Sequence, residues 1–277
     1  MSAPCPSCGA DRGHLLGCEH NTIALLPSAP PVSLEEPALD TTRARALAVP
    51  IALAVAALLA QTHLGGFLLR VCFGMWLHEL GHAAASWVCG VFAVPLPWMT
   101  MGGQGRSFLF TLLLFGGLGA LGWSWWRAEK RSLVPIAGAL AGILLIGLLV
   151  PFRHVTTFIV FSGDGGALVF GALLLVGAML LPDDARLSRG ALRWGYLVIG
   201  AGAFMDAFNT WVQSWRDFAN LPFGRSESSG LSDAMRLVET SGWSEAGLVR
   251  SYLALGLACL VAVAAVAARQ LSRSSRP

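Results

Sequence analysis

The chain has 277 residues, 55% of them hydrophobic and 13% charged, with a net charge of +3. A mean hydropathy of +0.63 and several apolar runs long enough to cross a bilayer exclude an ordinary soluble domain. They predict an all-α polytopic membrane protein of about six to seven transmembrane helices in a lipid bilayer, and so small a charge excludes nucleic acid as an expected partner.

The chain opens on a polar stretch, residues 1–23. Cys5-Pro6-Ser7-Cys8 has the spacing of a zinc knuckle, in which a tight turn aims two thiolates at one ion, and Cys18 with His20 can complete the tetrahedron. His14 is a rival fourth ligand, and a redox pair or free thiols is the alternative reading. A knuckle needs reduced thiols, which favours a cytoplasmic N-terminus, and no secretory signal opens the stretch, so the N-terminus is expected to be retained. Residues 24–43, rich in Pro, Ser and Glu, read as a flexible linker to a membrane domain over 44–270, with a basic tail over 271–277. Cys72, Cys89 and Cys259 stand singly in apolar runs and read as packing residues.

The first span is expected over residues 45–61, and a second apolar run follows from Phe67 to Val94. Inside it lies His78-Glu79-Leu80-Gly81-His82. A helix puts residues four apart on one face, so both imidazoles can meet one metal ion while Glu79 flanks it. Zinc held by neutral imidazole nitrogens with one position open to water acidifies that water, and a nearby carboxylate can take the proton. Glu79 is the candidate base. An ionised carboxylate at the centre of a membrane helix costs about 2.5–3.5 kcal/mol on insertion scales, so its presence there points to use. Two core histidines bonded to neighbouring helices is the plain alternative.

His78-Glu79-Leu80-Gly81-His82-Ala83 in a transmembrane segment resembles the site-2 protease family, zinc metalloproteases that cut other proteins within the membrane. The resemblance implies a third zinc ligand, an Asp, from a later span carrying a Leu-Asp-Gly type motif preceded by an Asn and a Pro. The nearest match is Ser162-Gly163-Asp164-Gly165-Gly166, with Thr156 and Ile159 where the family has Asn and Pro. Asp164 is thus the expected third ligand.

After the motif run, Pro95, Pro97, Gly102, Gly103 and Gly105 forbid a continued helix, and Gly102-Gly103 between short apolar strands suggests a hairpin. Site-2 proteases have a strand-like re-entrant segment near this point that can pair with an extended substrate. Here the stretch reads as either the watery approach to zinc or an interfacial loop. Spans are then expected over 108–126, 133–150, 154–181, 194–215 and 248–268. Three glycines around Asp164 are expected to loosen its helix and admit other backbone. Asp206, at membrane depth in the 194–215 span, is the alternative third ligand or a hydrogen-bonded helix contact. Asp233 follows Ser232, which reads as a helix N-cap, and it is placed outside the site. Basic residues near Arg43, Arg127, Arg186 and Arg269 cannot all face the cytoplasm across seven simple spans, so either one segment is re-entrant or the motif helix does not fully cross.

Two functional classes follow. One is an intramembrane zinc metalloendopeptidase acting on membrane proteins, with His78, His82 and Asp164 holding Zn²⁺ and Glu79 as base. The other is a non-proteolytic scaffold or transporter that keeps a zinc-binding fold.

Overall fold

A computed structural model describes residues 41–181, 192–226 and 230–274. The chain divides into two units, and the second, Asp40–Pro277, contains every residue described. The knuckle-like segment with Cys5, Cys8, Cys18 and His20, and most of the 24–43 linker, lie outside the described residues. The end of that linker is helical, because helix α1 already starts at Thr41 (α1, Thr41–Ala60).

Nine α-helices and two small hairpins make up the described residues. Helix α2 (His63–Leu69), capped by the Thr62 hydroxyl on the Gly65 N–H, passes through a π turn (Arg70–Gly74) into α3 (Met75–Val88). The motif helix therefore stops well short of Val94. Cys89 caps it, and Gly90 takes the left-handed φ of +73° that turns the chain into a hairpin.

Strands β1 (Val91–Pro95) and β2 (Thr100–Arg106) pair antiparallel, with Ala93 opposite Gly102 and Pro95 opposite Thr100. The hairpin turns at Leu96–Met99, where the Leu96 N–H donates to the Met99 carbonyl, while Gly102 and Gly103 lie within β2. The prolines, not the glycines, set the turn. Trp87 Nε1 donates to the Ala93 carbonyl and ties the hairpin to α3.

Helices α4 (Phe108–Arg127) and α5 (Val134–Leu149) form an outlying antiparallel pair, and α6 (Phe152–Leu180), α7 (Leu192–Arg216) and α9 (Glu245–Ser274) complete the bundle. Five helices, α1, α4, α5 (with the turn before it), α6 and α9, are long and apolar enough to cross a membrane by length and composition. Half of the apolar window of α6 is buried and none of that of α4, so α6 is the central post and α4 an outer helix. Helix α6 packs most extensively against α3 and α7. Helix α7 falls outside the five because Asp206, Asn209, Thr210 and Gln213 dilute it. Between α7 and α9 the chain forms a cap: hairpin β3–β4 (Arg225–Ser226 with Gly230–Leu231) and helix α8 (Asp233–Glu239). At the far end α9 stays helical through Ser274, where a tail was expected from residue 271.

Candidate metal centre

Helix α6 runs unbroken through Gly163, Gly165 and Gly166, so these glycines do not loosen it. They let α3 touch it. A methyl group on Gly81 would overlap the Ser162 carbonyl, and one on Gly166 would overlap the Gly81 backbone. A methyl on Gly163 would lie 2.6–2.7 Å from the rings of His78 and His82, closer than real side-chain contacts allow. The glycine of His78-Glu79-Leu80-Gly81-His82 and those beside Asp164 thus form one crossing, which presses both imidazoles against α6.

His82 Nδ1 donates to the Ile159 carbonyl at 2.8 Å, and His78 Nδ1 lies 2.8 Å from Asp164 Oδ1. A carbonyl only accepts, so Nδ1 of His82 carries its proton; the ionised Asp164 demands the same of His78. Both Nε2 atoms then point the same way. They lie 3.1 Å apart, with Asp233 Oδ2 at 3.0 Å from one and 2.9 Å from the other.

The donor set fits zinc. Two imidazole nitrogens and one carboxylate oxygen converge on one point, each bringing an electron pair. Bonds of about 2.0–2.1 Å in a tetrahedron place ligand atoms about 3.3 Å apart, so an opening of a few tenths of an ångström admits the ion. The Nδ1 contacts are what ligating histidines ordinarily have, one to a carboxylate and one to a backbone carbonyl.

Asp164, expected as third ligand, stands behind His78 instead, and Trp211 Nε1 donates to its other oxygen at 3.0 Å. Its reach is spent on the far side of the ring. Asp206 is not at the centre either: it pairs with Arg70 at 2.9 Å, and Arg70 also donates to the Thr210 hydroxyl. Asp233, set aside from the sequence, is brought to both Nε2 atoms. Ser232 does cap α8, accepting from the Met235 N–H, and that cap starts the helix so that Asp233 faces α3.

Glu79 is buried but lines a cavity of about 720 Å³ beside the centre. The Thr100 hydroxyl lies 2.8 Å from Glu79 Oε2 and 2.9 Å from the Glu79 carbonyl, so β2 fixes the carboxylate. Trp98, Met99, Gly102 and Gly103 of the hairpin line the same cavity. Sequence reasoning missed Thr100 and Trp211, which carry no local signal. It also missed Arg70, whose charge inside an apolar run asked for a partner such as Asp206.

Among known proteins, the chain is 27% identical over 186 residues to "Putative zinc metalloprotease Rip2" of Mycolicibacterium smegmatis, a match that covers 53% of this chain and 68% of that protein. No protein-family model matches the chain, and no solved structure matches it.

Proposed function

We propose that the chain is an intramembrane zinc peptidase that hydrolyses peptide bonds of membrane proteins. The observation that carries this is the convergence of His78 Nε2, His82 Nε2 and Asp233 Oδ2 beside the carboxylate of Glu79, at the wall of a cavity. The resemblance to a zinc metalloprotease over about half of the chain supports it.

His78, His82 and Asp233 would hold the ion, with Asp164 and Ile159 fixing the rings that face it. Zinc, when bound there, supplies a Lewis acid and an acidified water. Glu79 accepts the proton of the attacking water and passes it to the departing amine, while Thr100 keeps its carboxylate in place. Strand β2 pairs with β1 along one edge only, and its Gly102 and Gly103 offer the other to the cavity. An extended substrate segment adds to that edge by main-chain hydrogen bonds, which orient the scissile bond without demanding a particular side chain. A transmembrane helix must unwind to do so, and an unwound segment is tolerated at this depth only in such a protein-lined cavity.

The test is zinc content by mass spectrometry on purified protein lacking residues 1–40, together with cleavage of a co-expressed membrane protein. Stoichiometric zinc that falls in His78→Ala, and cleavage lost in Glu79→Gln, is the expected pair of results. A chelator-free preparation without metal would remove the basis for the proposal.

A further inference from the structure

Two cationic side chains line the cavity among the described residues, Arg70 and Arg236. Arg70 is engaged by Asp206 and Thr210. Arg236 is exposed at the cavity wall, and no hydrogen bond or ion pair holds its guanidinium among the described residues. It sits three residues after Asp233 on α8, so the two side chains are neighbours on one helix face. We propose that Arg236 binds the carbonyl oxygen of the scissile peptide and stabilises the negative charge that develops on it. This rests on the peptidase reading above.

Charge balance argues for such a group. Glu79, Asp164 and Asp233 place three carboxylates around a site for a divalent ion, while Arg70 and Asp206 cancel one another. One negative charge is left in excess, and it opposes further negative charge on a substrate oxygen. Arg236 offsets it. The hydroxyl donors of the cavity wall are largely spent: Thr100 on Glu79, Ser86 on the His82 carbonyl, Tyr252 on the Phe161 carbonyl. A guanidinium on a long stem has donors to spare and can follow the oxygen as it moves.

The step balances. Water oxygen adds to the carbonyl carbon, its proton goes to Glu79, and the carbonyl π pair moves onto oxygen, where an N–H of Arg236 donates to it. When the carbonyl reforms, the C–N bond breaks and the amine leaves with the proton from Glu79.

The experiment uses full-length protein in detergent, loaded with zinc, and two fluorescent probes. One is a hydrophobic phosphinic peptide, whose tetrahedral anionic oxygens imitate the adduct; the other is a hydroxamate of the same peptide, which reports the metal site. Arg236→Gln should weaken phosphinate binding about 10- to 100-fold, the loss of one charged hydrogen bond, with zinc content and hydroxamate binding kept. Arg236→Lys should recover part of that loss, because charge returns without the fork. Unchanged phosphinate affinity in zinc-loaded Arg236→Gln overturns the proposal, as does an equal loss for both probes. Wild type that binds the hydroxamate but not the phosphinate counts against Arg236 alone, whereas wild type with zinc that binds neither overturns the peptidase reading as well.

Discussion

His78 stands between two carboxylates: its Nδ1 lies 2.8 Å from Asp164 Oδ1 and its Nε2 lies 3.0 Å from Asp233 Oδ2. The two acids therefore differ in what their removal does. Asp233→Asn takes away a charged ligand atom, so zinc should be lost at ordinary concentrations. Asp164→Asn leaves all three ligand atoms and removes the acceptor that orients one ring, which typically costs about 10- to 100-fold in metal affinity. Zinc titration of the two variants against a competing chelator ranks them, and a larger loss in Asp164→Asn would exchange the two assignments.

Glu79 and Thr100 separate proton transfer from metal binding. Glu79→Gln keeps both imidazoles and should keep zinc, while cleavage falls by about 10²–10⁴-fold, the usual contribution of a general base. Thr100→Val removes the hydroxyl that fixes the carboxylate, so turnover should fall less than in Glu79→Gln. Equal zinc and equal cleavage in Glu79→Gln and wild type would assign the proton to another group.

Gly163→Ala adds one methyl against the His78 and His82 rings. Alpha helix is otherwise favoured by the change, by up to about 1 kcal/mol on intrinsic propensity. Loss of zinc in a protein that keeps its helical circular dichroism is the expected outcome. Gly165→Ala is the control, since its methyl would stay 3.3 Å or more from its neighbours and off the imidazoles. Zinc retained in Gly163→Ala would show that α3 and α6 can part without opening the centre.

Asp206→Asn should leave zinc in place and lower thermal stability, because it strips Arg70 of its counter-ion. The same change empties no ligand position. A drop in zinc equal to that of Asp233→Asn would return Asp206 to the centre.

How much of this was legible in the chain depends on how local each signal is. The spacing of His78, Glu79 and His82 is a property of one helical turn, and a turn is what α3 provides. A hairpin after the motif is legible in Pro95 and Pro97, although its turn falls at Leu96–Met99 and not at Gly102-Gly103. The candidate third ligand has no such local signal. Asp164 and Asp233 lie 86 and 155 residues from His78, and nothing in either neighbourhood says which nitrogen it will meet. Ser232 reads as a cap and is one, but a cap alone does not show that the helix it starts aims Asp233 at the imidazoles. The spans were clear where composition is uniform, as in α5, and blurred in α7, where polar groups turned toward Arg70 and Gln61 lower the apolar signal.

Placing Asp233 on α8 also couples two events. The imidazoles belong to α3, inside the bundle, whereas the carboxylate belongs to the cap between α7 and α9. An ion held by all three is a cross-link between those parts, and by linkage it stabilises the docked arrangement as much as the docked arrangement favours the ion. Removing zinc should therefore loosen the cap before the bundle, with amides of α8 exchanging hydrogen faster than those of α6.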